Sequence, residues 1–164
     1  MADKPDIPIT PAVRFLRERK IDFKPHSYAY EEHGGTRHAA DLLKIPEHNV
    51  IKTLVMESDA GQPFIVLQHG DYQVSTKGLA RQMGVKRVNP CDEVTAQKHT
   101  GYQVGGISPF GTRKTLPVYV EKTIFSLDLL VINGGKRGFL IEIEPQVLSR
   151  ALPVKEVETA WEKE

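Results

Sequence analysis

The sequence predicts an α+β fold, a compact mixed sheet with surrounding helices, and three observations carry that prediction. Strand-like and helix-like segments are interspersed without the strict alternation that builds a doubly wound parallel sheet. The 164 residues suit one domain around one core. With 40% apolar and 26% charged residues, the composition is that of an ordinary globular chain.

The elements follow in order. Residues 1–9, with three charges and two prolines, read as a flexible leader, and 10–164 as the domain. Thr10-Pro11 supplies an N-cap and a first-turn proline for a helix running to about Lys20, its apolar face being Val13, Leu16 and Ile21. Lys24–Tyr30 reads as a short strand, and Thr36 as the cap of a helix over His38–Lys44. Asn49–Glu57 and Pro63–His69 read as a hairpin around a turn at Ser58–Gln62. Ser75 caps a helix over Thr76–Met83 that Gly84 ends. Val85–Asn89 reads as a strand and Pro90–His99 as a helix. Leu116–Val120, Leu127–Ile132 and Phe139–Ile143 read as strands in a largely non-parallel sheet, and Pro145–Leu152 as the last helix.

Bulk properties exclude several classes of function. No apolar run approaches the roughly 18 residues of a membrane span, and the N-terminus lacks the pattern of a secretory signal, so a cytoplasmic home is expected. The single Cys91 allows no intrachain disulfide, and the six histidines show no zinc-ligand spacing; neither a metal nor another cofactor is expected. Net charge is only +1, yet basic residues cluster at Lys77, Arg81, Lys86 and Arg87, at Arg113 and Lys114, and at Lys136 and Arg137. On one face these can hold a phosphate backbone; scattered, they are solvated surface charges.

Three segments carry chemistry. Lys52-Thr53 lies inside an apolar strand, where an ammonium must be paired, snorkel to water or serve a ligand. By alternation Lys52 shares a face with Leu54 and Met56, and Thr53 faces the other way with Ile51 and Val55. Gly101–Gly111 holds four glycines and a Ser-Pro, either a plain connector or a loop whose bare backbone approaches a ligand and stabilises an oxyanion. Ser108 there is a nucleophile only with a base beside it, which the sequence does not identify. Asn133-Gly134-Gly135-Lys136-Arg137-Gly138 lacks Walker spacing and reads as a hairpin turn or a phosphate contact.

These segments occur together with Thr10-Pro11-Ala12-Val13, His26-Ser27-Tyr28, Ile51-Lys52-Thr53-Leu54, Thr100–Pro109 and Gly134–Gly138. In this set and order the chain resembles the YbaK-like editing domains, free-standing relatives of the editing insertion of bacterial prolyl-tRNA synthetase. The resemblance spans about residues 10–150. It implies a partly barrel-like mixed sheet and hydrolysis of a mischarged aminoacyl-tRNA in trans, most often cysteinyl-tRNA(Pro). It implies a mischarged tRNA as partner, with prolyl-tRNA synthetase or an elongation factor as possible helpers, and no membrane. Such editing answers a physical limit, since a methylene gives a synthetase only about 1–3 kcal/mol of discrimination.

The resemblance assigns Lys52 to the terminal adenosine or its phosphate, and Gly105 to catalysis through its backbone. It gives Gly106, Ile107, Ser108 and Pro109 to the substrate loop, Tyr28 and Thr53 to the pocket, and Gly134, Gly135 and Lys136 to the rim. The attacking group is the thiol of a cysteinyl substrate itself, or a positioned water for an alanyl or seryl one. Cys91 is expected to be structural and away from these motifs. Two departures bear on specificity. Leu140 stands where cysteine-specific members carry an aspartate, with Glu142 two residues on as a substitute carboxylate, and Asn133 stands where a serine is common. The competing readings are deacylation of another aminoacyl-tRNA, or a non-catalytic module that binds tRNA or a synthetase.

Overall fold

Alternation and capping place ten strands and five helices along the computed structural model, which describes residues 7–162. In chain order these are α1 (Pro11–Glu18), β1 (Lys24–Ser27), α2 (Gly35–Leu43), β2 (Val50–Ser58), β3 (Pro63–His69), β4 (Tyr72–Val74), α3 (Thr76–Met83) and β5 (Val88–Pro90). There follow α4 (Glu93–Thr100), β6 (Val118–Glu121), β7 (Leu130–Lys136), β8 (Phe139–Ile143), α5 (Gln146–Ala151), β9 (Val154–Val157) and β10 (Ala160–Glu162). The main sheet runs β1-β8-β7-β2-β3-β6-β9, with β5 also paired to β2; β10 and β4 form a separate two-stranded ribbon. The sheet is mixed: β2–β3, β2–β5, β1–β8 and β7–β8 are antiparallel, while β2–β7, β3–β6 and β6–β9 are parallel.

The central strand β2 is apolar on both faces, as a strand covered on each side must be. Ile51 and Val55 enter the main core with Ile65, Leu67, Ile132, Ile141 and the helix residues Ala12, Val13, Leu16 and Leu148. Met56, with Leu54 packed alongside, enters a second cluster with Phe64, Val66, Leu79 and Ala80 of α3. Val50 joins Ala39, Ala40, Val131 and Leu140 in a third, under α2. The expected alternation of β2 therefore separates two cores.

Local chemistry set most boundaries as expected. Thr10 caps α1 by accepting from Val13 N at 3.1 Å, Ser75 caps α3 from Gly78 N, and Gly84 ends α3 at φ 75°. The differences have physical causes. Thr36 is not a cap: its hydroxyl bonds Glu47 Oε2 at 2.8 Å and Gly70 O at 3.2 Å, and α2 starts at Gly35, three residues before the expected His38. Pro90 closes β5 instead of opening α4, which Asp92 caps from Thr95 N at 2.7 Å. The strand expected at Lys24–Tyr30 ends at Ser27, and β7 runs on past Ile132 through Gly134 and Gly135 with a bulge between Asn133 and Lys136. Of the expected leader, residues 1–6 lie outside the described residues; Ile7 packs against the main core and Ile9 is exposed.

One buried carboxylate anchors the C-terminal ribbon, beside bonds between Gln82 and Glu158 and from Ser75 N to Thr159 O. Glu121 is 3% exposed and accepts three backbone bonds at 3.0 Å, two from Thr159 N and one from Ala160 N. It thereby fixes the corner between β9 and β10, and β10 in turn pairs β4. Glu121→Gln replaces a doubly accepting carboxylate with a carboxamide carrying one acceptor. Urea unfolding of this variant is expected to show about 1–3 kcal/mol lower stability at unchanged m-value; an unshifted midpoint would refute the role.

Candidate functional site

Two adjoining cavities open along β2 and share four wall residues, Lys52, Thr53, Val104 and Ile107. The first, about 410 Å³, runs between β2, the end of β4 and the β5–α4 corner, and is mainly apolar, with Leu54, Met56, Val74, Pro90 and Ala96 on its walls. The second, about 330 Å³, lies against α2 and the β7–β8 pair, with Tyr28, Tyr30, His38, Ala39, Asn133 and Leu140 on its walls. Lys52 and Thr53 thus stand where the two meet, although their side chains leave opposite faces of β2.

Thr53 Oγ1 is buried and has no hydrogen-bond partner among the described residues. On the wall of both cavities it is placed to bond a polar atom of a ligand. Burial, with Tyr30 nearby, pushes the Tyr28 phenol above its ordinary range, so it is a neutral hydrogen-bonding group.

The glycine loop reaches this junction because a hairpin grips it. Asn133 Nδ2 donates to Gly105 O at 3.0 Å, and Arg137 Nε donates to Val104 O at 2.9 Å while its guanidinium lies 5.0 Å from the centre of the Tyr30 ring. Glycine is required at both loop positions. A Cβ on Gly106 would fall 2.9 Å from Arg137 N, and Gly105 has φ 92° with the Tyr30 hydroxyl close against it.

The expected site residues divide accordingly. Tyr28, Lys52, Thr53, Gly105 and Ile107 reach the cavity walls. Ser108 is fully buried, its Oγ accepting from Phe110 N at 3.2 Å, and Pro109 is buried beside it. Gly134 packs on Phe139 and its carbonyl accepts from Thr10 Oγ1 at 2.6 Å, whereas Gly135 lies over Tyr102 and Lys136 is exposed. These last three build the hairpin that holds the loop. Glu142 does not stand in for a carboxylate at Leu140: it is paired with His26 Nε2 at 2.9 Å, and Leu140, 5% exposed, leaves an apolar floor.

Three contributors have a different place from the one the sequence suggests. Asn133, a departure from the family pattern, and Arg137, a candidate phosphate contact, act on backbone carbonyls of the glycine loop. Cys91 lies on the wall of the larger cavity and not away from the motifs, because β5 pairs β2 there. Its thiol is pushed up to about 11 by burial and by the Glu57 and Asp92 charges, so it is protonated near neutral pH and no ready nucleophile.

Beside the second cavity His48, His69 and Asp71 place ligating atoms within 4.8 Å of one another. The atoms are otherwise engaged. His48 Nδ1 donates to Asp71 Oδ1 at 3.0 Å, and His69 donates through Nδ1 to His48 O and accepts through Nε2 from Thr123 Oγ1, both at 2.7 Å. The two rings stack 5° from parallel with centroids 3.7 Å apart, so their lone pairs do not converge on one point. The cluster is a hydrogen-bonded brace for Gly70, which meets Thr36 and Val50 on the cavity wall.

Among the described residues no serine or cysteine on these walls is activated as a nucleophile. The fold and cleft define a small mixed-sheet domain with a two-part ligand cleft along its central strand. A family profile described as an aminoacyl-tRNA editing domain matches residues 32–151. A protein of Enterococcus faecalis named as a Cys-tRNA(Pro)/Cys-tRNA(Cys) deacylase, EbsC, is 30% identical over 149 residues, 90% of this chain and 91% of that one. Part of the proline–tRNA ligase of Brachyspira hyodysenteriae is 26% identical over 88 residues, 54% of this chain but 15% of the ligase. A solved structure described as a trans-editing enzyme for prolyl-tRNA synthetase shares the fold, with TM-score 0.81 at 18% identity over 97% of this chain and 99% of that one. This chain belongs to the aminoacyl-tRNA editing domain family, and it is an enzyme of the deacylase class.

Two measurements test this geometry. Gly106→Ala is expected to lower stability by about 1–3 kcal/mol by overpacking against the hairpin and to reduce turnover by displacing the loop; a variant with native melting and turnover would show that the approach is slack. Burial holds the His69 pKa below its ordinary 6.5. The unfolded chain then binds the proton first, so the contribution of His69 to stability is whole above about pH 6.5 and is lost as pH falls toward its folded pKa. An NMR titration of the His69 ring is expected to show a midpoint below 6.5, and one at or above it would show that burial does not govern the ring's protonation.

Proposed function

We propose that this chain removes a wrong amino acid from tRNA in trans, with cysteinyl-tRNA(Pro) as its leading substrate and the cytoplasm as its place of work. The observation that carries the reading is the junction of Lys52, Thr53 and the gripped Gly105–Ile107 loop between two cavities. An aminoacyl ester joins two bulky parts, and only at such a junction can its carbonyl lie between them. EbsC, named for the cysteinyl esters of two tRNAs, is similar over nearly the whole chain.

The lysine ammonium offsets the charge of the terminal phosphate or binds the ribose. The Gly106 N–H is already bonded to Gln103 O at 2.8 Å, so oxyanion contact falls to the amides of Gly105 and Ile107 on the cavity wall. Thr53 Oγ1 binds a polar atom of the ester or ribose. The attack comes from the cysteinyl thiol, closing on its own carbonyl and expelling the ribose oxygen, or from a water where the acyl group has no thiol. The floor of Leu140, Ala39 and Val50 suits a cysteinyl or alanyl side chain better than a seryl hydroxyl. Gly134, Gly135 and Lys136 shape the rim, and Ser108 and Pro109 the loop beneath it. The domain spans 10–164, and prolyl-tRNA synthetase or an elongation factor supplies the charged tRNA.

The test is a deacylation assay against cysteinyl-, alanyl-, seryl- and prolyl-tRNA(Pro). Preferential loss of the cysteinyl ester is expected, with Lys52→Ala lowering kcat/KM at least about tenfold, or about 1.4 kcal/mol of transition-state stabilisation. Preference for another ester would move the specificity and keep the reaction. Native turnover in a folded Lys52→Ala protein would remove the site assignment, and tRNA binding without hydrolysis of any ester would favour the binding module.

A further inference from the structure

We infer that the last turn of α4, with the chain segment that crosses it, forms a surface for the sugar–phosphate backbone of RNA. This rests on the deacylase reading, since an RNA carries the ester, but the surface lies outside both cavities.

Backbone bonds assemble it. α4 ends at Thr100, with Gly101 beyond at φ 79°, and leaves carbonyls that no further turn of helix satisfies. Two of them take donors from further along the chain: Arg113 N bonds Thr100 O and Lys114 N bonds His99 O, both at 3.0 Å. The Arg113 side chain then lies over Gly101, its Cβ and Nε each 3.7 Å from the point where a Gly101 side chain would begin. Lys98 and His99, on the last turn, thus stand beside Arg113 and Lys114. The His99 ring registers that company. Burial first, then the ammonium groups of Lys114 and Lys98, hold its pKa below the ordinary 6.5, with Glu57 opposing them more weakly.

Helix-end electrostatics does not account for so much charge. A helix C-terminus carries about half a negative charge, which a single cation already offsets. Lys98, Arg113 and Lys114 each bring a full charge, all are exposed, and among the described residues none is in an ion pair. In a chain of net charge +1 such a local excess attracts a polyanion. The other basic groups are more compromised. On α3, Lys77 and Arg81 share their helix with Gln82, which holds Glu158 by two bonds, and Arg137 is engaged with Val104 O and the Tyr30 ring.

Position gives the surface its use. Ala96, on the wall of the first cavity, lies about 6 Å before Thr100 along the helix. The two bonds from Arg113 and Lys114 also close the neck of the glycine loop, which carries Val104 and Ile107 to the cavity junction. An RNA strand held on these cations is therefore close to the loop that meets its ester. Contacts of this kind reach phosphates and carry no sequence information, so tRNA identity is not read here.

The test is binding of uncharged tRNA(Pro) to the full chain across a salt series, with deacylation of the charged tRNA followed in parallel. The triple variant Lys98→Gln, Arg113→Gln, Lys114→Gln is expected to bind at least about tenfold more weakly, with the slope of log affinity against log salt flatter by about 2. A matched variant, Lys77→Gln, Arg81→Gln, Lys86→Gln, is expected to stay within about twofold of the unmodified chain. Native affinity and slope in the first variant would overturn the assignment, as would an equal loss in the second or no tRNA binding by the unmodified chain at low salt. In deacylation the first variant is expected to raise KM, while cysteinyl-adenosine, an ester without phosphates, is hydrolysed at the native rate. An equal loss on that small ester would place the damage in the cleft and overturn the surface role. If the unmodified chain hydrolyses no ester, the deacylase reading falls, and the salt series still decides the surface.

Discussion

The close approach of the Gly105–Gly106 backbone to the β7–β8 hairpin is the constraint on which the site depends. A side chain on Gly106 would meet backbone atoms of Lys136 and Arg137, which cannot step aside as a flexible side chain can. The same hairpin needs its own glycines: Gly134 lies flat on Phe139, and Gly135, at φ 101°, clears Tyr102 and Thr10. Thr10 then bonds the Gly134 carbonyl while capping α1, so one hydroxyl ties the first helix to the hairpin that holds the loop. Three segments distant in sequence are locked by atoms with no room to move. The rigidity suits a site whose chemistry is positioning.

Electrostatics takes second place, and its placement is selective. The carboxylates and imidazoles that sequence reasoning would suspect of chemistry are mostly engaged elsewhere: Glu142 with His26, Asp71 with His48, His69 with Thr123, and Glu121 with the backbone. The cavity junction itself is built from a lysine, a buried hydroxyl and main-chain amides. An ester needs no stronger reagent once its carbonyl is held and its attacker aimed.

Much of the fold was legible in the sequence, and the reasons are local. Thr10-Pro11, Ser75 and Gly84 bound helices through contacts made within a few residues, and the Pro63–His69 strand is fixed by its own apolar run beside a turn. What could not be read was decided at a distance. Thr36 spends its hydroxyl on Glu47 and Gly70, Pro90 closes a strand because β5 finds β2, and β4, β9 and β10 exist only through partners far along the chain. In the site, Lys52 and Gly105 carried signals because an ammonium in an apolar strand and a glycine-dense loop are costly without a use. Asn133 and Arg137 stood out too, but their work on the glycine loop was not legible, since it is done on carbonyls that every residue possesses. Cys91 was misplaced for the same reason as Pro90: its position follows a pairing, not a pattern.

The Glu121 corner ties the last described strand to the wall of the first cavity, since β10 pairs with β4, and Gln73 and Val74 of β4 face that cavity. A molecule bound there braces β4, and by mass action it also draws down the opened states in which β10 peels away. The tail of the chain is in that sense a gauge. Its amide exchange, or its resistance to a carboxypeptidase, registers occupancy of the cleft beside β4.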